Sequence, residues 1–163
     1  MTGEGAPRAR VRRARHDDWP GVRALLREID QLHAAIAPDY FRAAERPDDE
    51  WRRLLEDTTG AVFVADGSDG VGPAGVVVIK LYDTPPSAWM VPRRRGHVET
   101  LVVAAAQRRR GIGRRLMDEA VAWARACGAE EMVLTTWTGN SEAEAFYQRL
   151  GYRVLSRVFH APL

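Results

Sequence analysis

Residues 97–115 read HVETLVVAAAQRRRGIGRR and pass from an apolar strand to an amphipathic helix across a basic turn with two glycines. The strand follows from Val98, Leu101, Val102 and Val103. The helix follows from Ile112, Leu116, Ala120, Ala124 and Cys127, which recur every three to four positions. Gly111 and Gly113 leave the main chain uncovered at the turn. The first N–H groups of a helix have no partner inside it, so this turn offers a seat for an anion such as a phosphate.

Two familiar phosphate loops do not fit the spacing. A P-loop places Lys and then Ser or Thr after its last glycine, whereas the one lysine here, Lys80, is elsewhere; the dinucleotide fingerprint needs a third glycine where Leu116 stands. Arg108-Arg109-Arg110-Gly111-Ile112-Gly113 instead resembles the Q/R-x-x-G-x-G/A signature of the GNAT superfamily of acetyl-CoA-dependent N-acetyltransferases. Downstream, Asn140-Ser141-Glu142-Ala143-Glu144-Ala145-Phe146-Tyr147-Gln148-Arg149-Leu150-Gly151-Tyr152 is similar to that family's N-x-x-A-x-x-F-Y-x-x-x-G-F/Y segment. The two motifs stand in the family's order, joined by a helix and a strand. They cover residues 97–152, and the order of elements extends the likeness over most of the chain.

Composition agrees with one soluble domain. The chain has 163 residues, 45% of them hydrophobic and 28% charged, a length suited to a single unit. We expect a short flexible tail over residues 1–7 and one domain over residues 8–163. No run of eighteen apolar residues occurs, and the arginine- and proline-bearing start lacks the apolar core of a signal peptide, so a cytoplasmic protein is expected. The single cysteine, Cys127, excludes an internal disulfide and a cysteine-pair metal site, and no metal is expected. Cys127 falls on the apolar stripe of the central helix and reads as a core residue. The arginines cluster within residues 8–15, 93–95 and 108–110 and at 114–115, yet the net charge is only +2. A nucleic-acid surface would want a continuous basic stripe with stacking aromatics, so no nucleic-acid partner is expected.

The remaining elements follow from periodicity and punctuation. Val11, with Ala9 and Ala14, marks an edge strand. Asp17 or Asp18 is placed to cap a helix carrying Val22, Leu25, Leu26, Ile29 and Leu32 that stops before Pro38. A second helix is expected over residues 48–56, with Trp51, Leu54 and Leu55 inward. Residues 61–65 and 74–81 read as a hairpin around Gly-Ser-Asp-Gly, and residues 83–95 as a loop. After the central strand and helix come a strand over 132–136, a helix over 141–150 and a closing strand over 152–159.

The resemblance implies an α/β fold: a mixed, mostly antiparallel central sheet with helices on both faces and a splayed strand pair. It implies transfer of the acetyl group of acetyl-CoA, as cosubstrate, to a primary amine by direct attack in a ternary complex. Main-chain groups of Leu101, Val102 and Val103 would pair with the pantetheine arm. The pyrophosphate would meet Arg108, Arg109, Arg110, Gly111, Ile112, Gly113 and Arg114. Ala104, Ala105 and Ala106 stand where the family often has a proline-containing turn. Asn140 is either a cofactor contact or a plain helix cap. Tyr147 corresponds to the tyrosine that faces the cofactor sulfur.

Such a reaction needs a base for an ammonium whose solution pKa is around 10, an oxyanion donor and an acid for the thiolate. Glu99 and His97 lie two apart on one strand, hence on one face, where family members place a carboxylate base; Glu99 is the first candidate and His97 the second. The N–H near Leu101 is the oxyanion candidate. His33, Tyr40, Phe41 and Trp89 are candidates for the acceptor wall, with Asp39 as an anchor for a small-molecule or peptide amine. A noncatalytic acyl-CoA-binding or sensor module on the same fold is the alternative. Only residues 160–163 follow the closing strand, too few for the returning strand common in the family, so a homodimer covering the bare sheet edge is expected.

Overall fold

The computed structural model describes residues 9–67, 70 and 72–162. The expected tail over residues 1–7 lies outside the described residues, as does part of the Gly-Ser-Asp-Gly turn. The elements are β1 (Val11–Arg13), α1 (Trp19–Ile36), α2 (Asp48–Glu56), β2 (Gly60–Asp66), β3 (Pro73–Asp83), β4 (Arg94–Val103), α3 (Ile112–Ala126), β5 (Glu131–Leu134) and α4 (Ser141–Arg149). The sheet order is β1-β2-β3-β4-β5; the first four strands are antiparallel, and β5 runs parallel to β4.

The central strands are buried on both faces, which is why β2 and β3 read as unbroken apolar runs rather than as an alternation. Phe63, Val77 and Ile79 turn to one side and pack with Ile112, Leu116, Met117, Ala120 and Ala124 of α3. Val62, Val64, Val76 and Val78 turn to the other and meet Val22, Leu25 and Leu26 of α1 and Trp51 of α2. Helix α3 lies close on the sheet because Gly75 has no side chain: a Cβ there would stand 2.9 Å from Leu116 Cδ1 and 3.0 Å from the Val102 carbonyl oxygen.

One residue of β4 is out of step. Val78 pairs with Thr100 and Ile79 with Val98, so Glu99 is an extra residue without a partner on β3, a β-bulge. Alternation reverses across it. Val98 packs in the α3 layer, whereas Val102 packs with α1 and α2 while Leu101 and Val103 turn to the α3 layer. On the other side of β4, pairing with β5 covers only residues 95–98 against 131–134. Residues 99–103 therefore have no strand neighbour there, which is the expected splay.

Three expectations are corrected. Residues 152–159 form no strand, and the chain order ends with α4. Val154 and Val158 would fall on one face of such a strand and Leu155 and Phe159 on the other, so pairing at the margin of a four-residue β5 could not bury them all; all four are exposed. Asp18 does not cap α1 through its side chain. Its carboxylate faces back, accepting from Arg12 at 2.9 and 2.8 Å and from the Arg15 N–H at 2.7 Å, and the Arg12 guanidinium holds it below the usual carboxylate range. Cys127 is the half-buried residue that ends α3, not part of the packed stripe. Among the described residues no helix is long and apolar enough to cross a membrane.

Candidate active site

The basic turn after β4 is built from residues that relax the main chain. Ala105–Gln107 make a short 3-10 turn in place of a proline turn. Arg109 follows at φ 61° and Gly111 at φ 75°, both left-handed, with Gly111 as the N-cap of α3. Left-handed residues at alternate positions turn N–H groups toward a common side, the geometry of an anion nest. The first N–H of α3 to find a carbonyl within the helix is that of Arg115, on Gly111 at 3.2 Å, so those of Ile112, Gly113 and Arg114 precede it. Gly113 is needed for space rather than conformation: a Cβ would sit 3.2 Å from Phe146 Cζ, where α4 leans on α3. The expected phosphate residues are thus gathered at one helix start.

Arg108 turns back onto β4. Its Nε donates to the Val103 carbonyl at 3.1 Å, and its terminal nitrogens stand 3.9 Å from Glu28 of α1 and 3.7 Å from Glu142 of α4. It therefore lies across the open side of β4, on a carbonyl of the segment expected to pair with pantetheine. Glu28 also accepts from the Ala105 N–H at 3.1 Å. Neither acid stood out in the sequence, because each reads as an ordinary helix-surface residue.

The bulge carries the titratable cluster. His97 Nδ1 lies 2.9 Å from Glu99 Oε1, and the Tyr82 hydroxyl donates to the same oxygen at 3.1 Å. The Tyr82 ring meets the imidazole edge-on, centroids 5.7 Å apart. Lys80, the cross-strand partner of His97, pairs at 2.9 Å with Asp57 just after α2, so the cluster faces the α1–α2 layer. Thr59, with help from Lys80, pulls the Asp57 carboxyl down to about 2. A groove of about 660 Å3 opens beside it, lined by Glu50, Arg53, Leu54, Glu56, Asp57 and Lys80. Tyr82 escapes the sequence reading because the strand is ended two residues short, at Leu81, while β3 runs to Asp83.

Tyr147 packs at the margin of the α3 layer, with Phe146 and Tyr152 at 5.2 and 5.8 Å between ring centroids. Burial, with a lesser push from Tyr152, raises its phenol to about 12. Asn140 caps α4: its Oδ1 accepts from the Ala143 N–H at 3.3 Å.

The acceptor-wall candidates divide. Tyr40 and Phe41 meet Trp137, tilted at 5.0 Å and edge-on at 4.9 Å between ring centroids, His33 lies on Phe41 at 4.8 Å, and His160 of the C-terminal segment stands edge-on to Tyr40 at 5.9 Å. Burial holds His33 below the ordinary histidine value. The cluster lies just past Leu134, the last residue of β5 to pair with β4. Asp39 is exposed beside Tyr40 in the chain. Trp89 is not part of the cluster; it is 85% exposed in the β3–β4 loop. Trp137 was missed because it sits in a connection, where no periodicity marks it. Among the described residues no group of three or more His, Cys, Asp or Glu side chains could hold a metal ion.

A bulged β4 that parts from β5 above a glycine turn is the architecture of an acyl-CoA transferase, and the comparisons with known proteins agree. The model of the acetyltransferase (GNAT) family matches residues 26–152, and the chain belongs to that family of acetyl-CoA-dependent N-acetyltransferases. It is 31% identical over 137 residues to the aminoglycoside N(6')-acetyltransferase type 1 of Stenotrophomonas maltophilia, covering 82% of this chain and 84% of that one. It is 36% identical over 97 residues to the streptothricin acetyltransferase of Streptomyces lavendulae, covering 60% of this chain and 47% of that one. The crystal structure of a mutant BH1408 protein from Bacillus halodurans has the same fold, with a TM-score of 0.89 at 24% identity over 94% of this chain and 99% of that one.

Proposed function

We propose that the protein transfers the acetyl group of acetyl-CoA directly to the primary amine of a small molecule in a ternary complex, with Glu99 as the base. The observation that carries this reading is the position of Glu99, in the bulge at the point where β4 loses its β5 neighbour. A thioester lying along residues 99–103 would have its carbonyl beside that carboxylate. Glu99 takes a proton from the ammonium; the amine nitrogen attacks the thioester carbon, and a C–N bond forms. The oxyanion meets the Leu101 N–H. The tetrahedral intermediate then collapses: the C–S bond breaks, the nitrogen gives up its second proton to solvent and becomes the amide nitrogen, and the departing thiolate takes a proton from Tyr147, which regains one from solvent.

The turn of Arg108, Arg109, Arg110, Gly111, Ile112, Gly113 and Arg114 would hold the pyrophosphate, with Leu101, Val102 and Val103 pairing to the pantetheine. His33, Asp39, Tyr40 and Phe41, joined by Trp137, would wall the acceptor. The names of the aminoglycoside and streptothricin relatives support a small amine-bearing acceptor.

The test is acetyl-CoA-dependent thiol release across a panel of small amines that includes aminoglycosides. We expect at least one to be turned over, and Glu99→Gln to slow it by about 10²-fold or more at neutral pH with acetyl-CoA binding retained, the usual scale for loss of a general base. A smaller loss for Glu99→Gln than for His97→Ala would move the role to His97.

A further inference from the structure

We propose that Tyr82 is a positioning residue for this base: together with His97 it fixes the Glu99 carboxylate through Oε1, so that Oε2 is the oxygen presented to the amine. The inference rests on the reading of Glu99 as the base.

A bulge residue lacks the cross-strand neighbour that would otherwise restrain its side chain, and Glu99 has none on β3. A glutamate left to itself keeps much of its rotamer freedom, and that freedom must be given up each time the base is aligned. Here two donors remove it beforehand. The His97 nitrogen at 2.9 Å and the Tyr82 hydroxyl at 3.1 Å both fall on Oε1. A carboxylate oxygen has room for two such bonds, so Oε1 is filled. Among the described residues Oε2 makes no hydrogen bond, and it alone remains to accept the ammonium proton.

The arrangement also fixes the donors. Carboxylate oxygens only accept, so Nδ1 of the imidazole carries the hydrogen of this bond. Tyr82 is held in turn by its edge-on contact with the same imidazole, although half of the residue is exposed. That exposure argues against a packing role for its hydroxyl. The other charged groups on this face are Lys80 of β3, within electrostatic reach of Glu99, Asp57 after α2, which pairs with it, Arg95, the cross-strand partner of Tyr82, held by Glu131 at 2.6 Å, and Glu50, Arg53 and Glu56 of α2 along the groove.

The test is Tyr82→Phe, which keeps the ring on His97 and deletes only the hydroxyl. A donor to a carboxylate favours its charged form, so losing one raises the pKa of the base. We expect kcat to fall about 3- to 30-fold and KM for acetyl-CoA to hold. The acid limb of the pH–rate profile should move to higher pH. In a Glu99→Gln background the same substitution should cost nothing further, since the two residues act as one unit.

Parental turnover with an unmoved acid limb in Tyr82→Phe, while Glu99→Gln is slow, overturns the positioning role and leaves the base in place. An undiminished loss in the Glu99→Gln background also overturns it, because the hydroxyl would then act elsewhere. Parental turnover in Glu99→Gln itself removes the base reading, and the positioning role with it.

Discussion

Tyr147 and Tyr82 are two phenols with different work. Burial keeps Tyr147 protonated up to about pH 12, and among the described residues its hydroxyl makes no hydrogen bond. A phenol held neutral without a structural partner is free to donate to a leaving thiolate. Tyr147→Phe should therefore keep its melting temperature at neutral pH while turnover falls about 10- to 10³-fold, the range of general-acid contributions. The same shift bears on stability. The native pKa lies above the unfolded value near 10, so between about pH 10 and 12 the unfolded state gives up its proton first and the native state loses ground, by on the order of 2–3 kcal/mol. Urea unfolding at stepped pH should show the parent losing more stability across that window than Tyr147→Phe does. An equal loss would take the titration away from Tyr147. Tyr147 is a candidate from the sequence because its motif is local. Tyr82 stayed hidden because its partner is reached only through the β3–β4 register.

At the scale of elements, the turn into α3 was legible from its residues, since left-handed main chain at a helix start calls for glycine. Gly111 has open space around the position a Cβ would take, so its constraint is conformation alone. A left-handed residue other than glycine costs about 1–2 kcal/mol, and a β-branched one is a worse fit still. Gly111→Val should thus fold yet turn its N–H groups out of line. Thermal unfolding with and without acetyl-CoA is the measurement: the parent should gain stability from the ligand, and the variant should lose most of that gain. A full ligand shift in Gly111→Val would remove the turn from cofactor binding. Asn140 was legible in the same local way, as a cap. The bulge at Glu99 was not, because an extra residue exists only relative to the partner strand. The expected strand over 152–159 had β-branched residues in its favour, but no face on which they could all be covered.

For the molecule as a whole, the sheet has a four-residue outer strand, β5, with no strand beyond it among the described residues, and the C-terminal segment carries Val154, Leu155, Val158 and Phe159 at 65–94% exposure. Unpaired strand edges and exposed apolar surface favour association. We propose a homodimer that covers both, to be seen by light scattering at micromolar concentration; a monomer there would remove the argument. Changes in chain length are not equally open across this fold. Residues added or removed within 84–93 alter a connection and little else. One residue more or fewer between Val98 and Leu101 acts like a shifted reading frame. It would exchange the sides of the sheet for the rest of the strand, sending Leu101 and Val103 beneath α1 and Val102 beneath α3, so the length of β4 is fixed by both layers at once.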